Sequence, residues 1–177
     1  MFLLANVNYF SQEGIPYLLV ILLQIWILQP FSTLFHELGH AFIAMILTKS
    51  KVVVRVGDSN ATSLLLSFRL LDRFFLGFSP RNVRSGYTVF KTQGRFLHSL
   101  ILLGGPLITL ILTLQAGRLL FADTLSLWEE LFFVSWFCVN LLTFLRAVIP
   151  TSLKPTKSFP SGVPSDGLQI IRIWFGG

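Results

Sequence analysis

The chain has few charged residues, which make up 12% of its 177 positions. Soluble domains average about 25% charged residues. Together with a hydrophobic content of 53% and 18 phenylalanines, this deficit predicts a membrane protein rather than a soluble domain with a large core. The single cysteine, Cys138, excludes an internal disulfide. The first 17 residues contain no lysine or arginine, so we expect no secretory signal peptide, which would begin with a basic segment.

Long apolar stretches are what the sequence does contain. A membrane-spanning helix needs roughly 20 apolar residues, and three stretches meet this length, at 17–48, 96–120 and 131–150. The first includes Pro30, which can kink a helix. We therefore predict an all-α integral membrane protein with about three core transmembrane helices. We find no internal repeat, and 177 residues suffice for one domain and hardly more, so residues 1–177 are expected to form a single membrane-embedded domain.

The basic residues cluster between the apolar stretches, at positions that would flank membrane spans. Lys and Arg number 14 against 8 Asp and Glu, and nine of these basic residues lie in 49–98. The link at 121–130 contains three acidic residues and no basic one. This distribution fits membrane flanks better than a nucleic-acid surface, so we expect lipid contact and no nucleic-acid partner. The positive-inside rule predicts that 49–98 and the C-terminal tail face the cytoplasm, with the N-terminus outside.

The segment between the first two spans is predicted to contain short strands. The β-branched and aromatic sequences at 49–56 and 86–91 favour strands, which would form a membrane-associated β-segment. Between them, "LLLSFRLLDRFFLGF" at 64–78 is too short and too charged to span a membrane. Its spacing fits either a helix with one polar face or a strand, and both remain open. The four prolines of 150–164 predict an extended, re-entrant C-terminal segment before a short final helix.

The most informative motif is "FHELGHAF", which lies within the first apolar stretch. His36 and His40 are four residues apart, so on a helix they share one face and fit two ligands of a tetrahedral zinc ion. Glu37 lies next to the first of them, where its carboxylate could take a proton from an attacking water. The alternative is a polar cluster satisfied by its neighbours. However, an ionised group at the centre of a span costs about 2.5–3.5 kcal/mol, which favours a metal site.

A catalytic zinc site usually has three protein ligands, so a third residue is required. Asp166 lies between a proline-rich approach and an apolar segment, and an extended chain could return it to the motif. The alternative is that Asp166 only caps the final helix. We expect His98 to be interfacial rather than a ligand. The remaining candidates are weaker. The predicted topology puts Asp123, Glu129 and Glu130 on the other side of the membrane, and Asp58 and Asp72 neighbour ordinary surface polar residues.

Three sequence elements together resemble a known family. "FHELGHAF", "LGGPLITL" at 103–110 and "PSDG" at 164–167 occur in the same order in site-2-protease-type intramembrane zinc metalloproteases, the M50 peptidase group. The resemblance implies cleavage of a peptide bond within or near the transmembrane segment of a substrate. It also implies His36, His40 and Asp166 as zinc ligands, Glu37 as general base and a site near the cytosolic face. The strands at 49–56 and 86–91 would match a β-segment that pairs with substrate.

The chain also departs from this family. Where the family often has Asn after Gly-Pro, this sequence has Ile108 and Thr109. Where it has Asn-x-x-Pro, Ala147 precedes Pro150, and Asn140 lies two turns earlier. Two alternatives therefore remain open, a weakly active or inactive zinc-binding membrane adaptor and a metal-handling membrane component. Because it has no added soluble domain, the chain resembles the bacterial members of the family, and we expect a bacterial plasma membrane. Whether it has a regulatory partner stays open.

Overall fold

Three long helices and a small sheet make up most of the computed structural model, which describes residues 14–57, 66–70, 72–79, 86–92, 94–121, 125–152 and 162–176. The long helices are α1 (Ile15–Leu47), α2 (Arg95–Leu120) and α3 (Leu127–Val148). Each is long and apolar enough to cross a membrane. Long helices are therefore present at the three predicted positions, with ends displaced by a few residues, and their length and composition suit association with a membrane.

Large apolar side chains cover the outer faces of these helices. Leu23, Trp26 and Leu114 are 57%, 63% and 63% exposed. Many buried positions of the helices are instead small or polar, as in Ser32, Ser135 and Thr109. Such a distribution suits helices surrounded by lipid, where tails offer no hydrophobic force that would drive apolar side chains inward.

Small residues and hydrogen bonds hold the three helices together. A Cβ atom at Gly104 of α2 would lie 2.5 Å from the backbone oxygen of Gly39 in α1, so the two backbones touch at this crossing. The α1–α3 interface is polar, since Ser135 donates a 2.8 Å hydrogen bond to Gln24 and Ser32 contacts Asn140 at 3.0 Å. Both features are typical of packing between membrane helices.

The sheet is larger than the sequence indicated. It contains β1 (Val52–Val56), β2 (Leu66–Leu70), β3 (Phe74–Phe78) and β4 (Gly86–Val89) in the order β2-β3-β1-β4. The strands predicted at 49–56 and 86–91 are present as β1 and β4. Within the stretch 64–78, which the sequence left open between helix and strand, the described residues 66–70 and 74–78 form strands: β2 and β3 pair antiparallel, and β3 pairs parallel with β1.

The sheet is fixed against the helical bundle by β1. Val52 and Val54 are fully buried and pack with Ala41 and Ala44 of α1 and Ile101 of α2. On the other side of β1, β4 pairs antiparallel with it. The edge strand β4 is thereby placed beside the part of α1 that carries the His-Glu-x-x-His motif.

The C-terminal tail returns to the end of α3. Ser152 and Pro164 form an isolated antiparallel bridge, after which the short helix α4 (Asp166–Phe175) begins. The Trp174 indole donates a 2.9 Å hydrogen bond to Ser99 and ties α4 to α2. The described residues at 150–152 and 162–164 are non-helical as predicted, and the rest of the predicted extended segment lies outside the described residues.

Candidate metal centre

Two histidines of α1 point together into the protein interior. His36 and His40 are 8% and 5% exposed, and their Nε2 atoms lie 3.2 Å apart. The four-residue spacing puts both rings on the same helix face, one turn apart. This convergence is what the sequence motif predicted for a metal-ligand pair.

Asp166 completes this pair from the far end of the chain. Its Oδ2 atom lies 3.0 Å from Nε2 of His36 and 3.4 Å from Nε2 of His40. A tetrahedral zinc ion with Zn–N and Zn–O bonds of about 2.0–2.1 Å has ligand atoms about 3.3 Å apart. The three atoms form a triangle with edges of this size, so His36, His40 and Asp166 form a buried group that can hold a metal ion.

The orientation of His40 is set by the backbone of α2. Its Nδ1 lies 2.8 Å from the carbonyl oxygen of Ile101. A carbonyl can only accept, so we assign the hydrogen to Nδ1, and the Gly105 N–H at 3.2 Å cannot then donate to that atom. Nε2 is left with its lone pair directed at the other two ligand atoms. This arrangement, in which a backbone carbonyl fixes the tautomer, is common among metal-binding histidines.

Ser165 determines where Asp166 lies. The Ser165 hydroxyl donates to the carbonyl of Ile149 at 2.7 Å and accepts from the Thr151 N–H at 3.1 Å, which attaches the tail to the end of α3. It also accepts from the Leu168 N–H and is the N-cap of α4. The alternative reading of Asp166 as the cap is therefore wrong. Its carboxylate is available to the two histidines.

The surroundings of Asp166 keep its carboxylate ionised. Burial alone would raise the pKa of this carboxyl, but in the metal-free protein hydrogen bonds and charge from His36 and His40, when their rings are protonated, outweigh that effect and lower it to about 2. An ionised carboxylate is the form that binds metal ions. At neutral pH the aspartate is thus ready to act as a ligand.

Glycines create the space for this group. A Cβ atom at Gly167 would lie 2.9 Å from the backbone carbon of Val148, so α4 can approach α3 only with glycine at this position. A Cβ atom at Gly105 would lie 2.7 Å from Cε1 of His36 and would also press on Nε2 of His40. The "GGP" element therefore leaves room both for the helix crossing and for the two imidazoles.

We expect Gly105→Ala to reduce metal binding strongly, because its methyl group would displace both rings. The matched control is Gly117→Ala on the same helix, where the new Cβ would be 3.4 Å from Phe137, an ordinary contact at its lower limit. Metal content measured by mass spectrometry on the two purified variants checks this expectation. Equal metal content in both would show that the imidazoles do not need the space above Gly105.

Glu37 lies beside the three ligands and is held separately. It is 7% exposed, and its Oε2 atom accepts a 2.7 Å hydrogen bond from the Thr88 hydroxyl of β4. It is not part of the ligand triangle. The carboxylate is therefore fixed next to the metal group without being a ligand in it.

A cavity of about 840 Å³ connects these groups to the surface. Its walls come from α1, from residues 86–92 in and after β4, from the start of α2, and from the adjoining ends of α3 and α4. His36, Glu37, His40 and Asp166 all line it. The metal group and the carboxylate thus face one space that is large enough for a short peptide segment.

The other predicted candidates lie elsewhere or outside the described residues. Glu129 and Glu130 are in the first turn of α3, about 25 Å along the helix from its cavity end at the usual 1.5 Å rise. Asp72 is exposed in the turn before β3. His98 lines the cavity but is absent from the ligand group, and its ring contacts Phe90 edge-on. Asp58 and Asp123 lie outside the described residues.

Two contributors were missed by sequence reasoning. Ser165 could have been found, since a serine three residues before a helical N–H is a common N-cap signal. Thr88 had no such signal, because only the pairing of β4 with β1 brings it to α1. Asn140, which lies two turns before the position of the family's asparagine, is fully buried and serves the α1–α3 interface.

No protein-family model and no curated protein matches this chain. The functional conclusion is therefore based on the arrangement of its own residues.

Proposed function

We propose that the protein is an intramembrane zinc metalloendopeptidase of the site-2-protease type, which hydrolyses a peptide bond within or near the transmembrane segment of a membrane protein. The observation that supports this most is the placement of Glu37. It lies beside the ligand group of His36, His40 and Asp166, and all four line one cavity. A site that only stabilised the fold would not need a carboxylate held next to the metal.

The donor set fits a catalytic zinc site. Structural zinc sites usually have four protein ligands, often cysteines, whereas catalytic ones have three and an open position. Among the described residues, two imidazoles and one carboxylate converge here, which leaves the fourth position to water or substrate. When bound, zinc would supply the Lewis acidity that polarises a carbonyl and lowers the pKa of water to about 7.

The remaining chemistry belongs to the chain itself. Glu37 accepts the proton of the water that attacks the scissile carbonyl and returns it to the leaving amine. His40 keeps its Nε2 lone pair available because Nδ1–H donates to Ile101. Asp166 contributes a negative charge that offsets part of the metal charge. The low exposure of His36, Glu37 and His40 limits competing water.

The edge strand indicates how a substrate would bind. Among the described strands β4 pairs only with β1, and residues 86–92 line the cavity. An extended peptide could therefore add to this edge by main-chain hydrogen bonds. A transmembrane substrate would first unwind locally, since its backbone groups are otherwise paired within its own helix. The charge distribution of the sequence supports a site toward the cytosol, and the proposal of a bacterial plasma membrane rests on the family resemblance alone.

One observation favours the alternative of a zinc-binding adaptor. Asn140, the nearest residue to the family's substrate-handling asparagine, is used between α1 and α3 and does not line the cavity. Against this, Thr143 and Gln169 do line the cavity and offer other polar groups to a substrate backbone. An adaptor would keep its zinc without cleavage, and a metal-handling component would exchange the metal without cleavage.

The proposal is tested by removing the metal from the reconstituted protein. We expect purified protein in liposomes to cleave at least one member of a panel of single-span peptides. Chelation should abolish this cleavage and added zinc should restore it, because His36, His40 and Asp166 supply the only ligand group among the described residues. Cleavage that survived complete zinc removal would contradict the proposal. Stoichiometric zinc with no cleavage of any panel member would favour the adaptor.

A further inference from the structure

We propose that Thr88 is a positioning residue for Glu37, so that the strand edge offered to the substrate also holds the general base in place. This inference rests on the proposed function. It concerns a residue that neither the motif nor the resemblance identifies, and it follows from the contact between β4 and α1.

The contact is a short hydrogen bond between two rigid elements. The Thr88 Oγ1 atom lies 2.7 Å from Oε2 of Glu37 and 3.1 Å from the Glu37 carbonyl oxygen. A hydroxyl has one hydrogen, and the carboxylate is both closer and charged, so it is the preferred acceptor. The bond therefore fixes one oxygen of the carboxylate and restricts rotation of the Glu37 side chain.

The position of Thr88 is determined by the sheet. Thr88 is opposite Val54 in the β1–β4 ladder, and Val54 is fully buried against α1 and α2. A shift of β4 by one residue would turn the Thr88 side chain to the other face. The hydroxyl is thus brought to Glu37 by strand register, which is itself fixed by a buried valine.

Gly86, which lies on the same strand as Thr88, confines the Glu37 carboxylate as well. Residues two apart in a strand share a face, and a Cβ atom at Gly86 would lie 2.7 Å from Cγ and 3.0 Å from Oε1 of Glu37. The Glu37 side chain is therefore packed against the bare backbone of Gly86 while Thr88 holds Oε2. Both contacts come from the strand that borders the cavity, so any displacement of this strand also moves the base.

The kinetic test compares Thr88→Val with Thr88→Ser. Valine keeps the shape and removes the hydroxyl, whereas serine keeps the hydroxyl. With a fluorogenic single-span peptide that the wild type cleaves, we expect Thr88→Val to lower kcat by about 10- to 100-fold, the range for loss of a hydrogen bond to a charged group. KM should change less than about twofold, zinc content should not change, and Thr88→Ser should restore most of kcat.

Three outcomes would overturn the inference. They are an unchanged kcat in Thr88→Val, an equal loss in Thr88→Ser, and a loss that follows a fall in zinc content. Each would show that the hydroxyl does not act through the carboxylate.

A thermal double-mutant cycle tests the contact without any cleavage. Unfolding midpoints are measured for wild type, Thr88→Val, Glu37→Leu and the double variant, all zinc-free. We expect Thr88→Val to lower the midpoint more in the wild-type background than in the Glu37→Leu background, where only the bond to the backbone carbonyl remains to be lost. Equal shifts would contradict the contact. A positive cycle with no cleavage by the wild type would overturn the positioning role and the proposed function while leaving the contact itself established.

Discussion

Glu37→Gln is expected to keep its zinc and to lose cleavage activity by about 10²- to 10⁴-fold, the usual contribution of a general base. Glutamine has the same shape as glutamate, but its amide cannot take a proton from water. Its oxygen can still accept the hydrogen bond from Thr88, so the side chain should stay in place. The rate is measured on a single-span peptide in liposomes, and zinc is measured on the same samples.

The control for this variant is Glu129→Gln. Glu129 is the third residue of α3 and forms a capping box with Ser126, a position where glutamine serves as well as glutamate. We expect its cleavage rate to equal that of the wild type. If Glu37→Gln also cleaved normally, another group would have to act as base. If Glu37→Gln lost its zinc, the missing metal would explain the loss of activity, and the variant would not test the general base.

Asp166→Ala is expected to weaken zinc binding by more than about 100-fold, beyond the 10- to 100-fold typical of losing an outer partner of a ligand. The substitution removes the one ligand that comes from outside α1 and leaves the two imidazoles alone. Affinity is measured by competition with a chelator. Zinc should also raise the unfolding midpoint of the wild type, since a ligand that binds only the folded state stabilises it, and this shift should vanish in the variant.

Two further variants make the aspartate result specific. His98→Ala removes the third histidine, which lines the same cavity outside the ligand group, and should bind zinc as tightly as the wild type. Ser165→Ala keeps the aspartate but removes the bonds that join the tail to Ile149 and Thr151, and should cost about 10- to 100-fold in zinc affinity. Wild-type affinity in Asp166→Ala would place the third ligand elsewhere.

Local sequence patterns were sufficient for the helices and for two of the three residues of the metal group. Each span could be predicted because a run of about 20 apolar residues has few alternatives to a membrane helix. His36 and His40 could be paired because their spacing equals one helical turn. The strands β1 and β4 followed from β-branched and aromatic runs. In each case residues close in the sequence carry the whole signal.

Contacts between distant segments could not be obtained in this way. In the ambiguous run, residues 66–70 and 74–78 form strands because β3 has β1 and β2 as partners. The sequence of the run by itself does not show these partners. No pattern in the sequence indicated a partner for Asn140, whose amide oxygen accepts from Ser32 across the α1–α3 interface. Helix spacing alone cannot tell which neighbour a buried amide will meet.

The "FHELGHAF" motif shows where this boundary lies. By itself the sequence determined two converging imidazoles and a neighbouring carboxylate, because helical geometry is local. Only the tertiary structure decided that Asp166, 130 residues away from His36, completes the group, and that Thr88 of an edge strand holds Glu37. The physical reason is that both contacts join segments far apart in the chain. The first depends on the hydrogen bonds of Ser165 and the second on the pairing of β4 with β1, and no local repeat in the sequence indicates either of them.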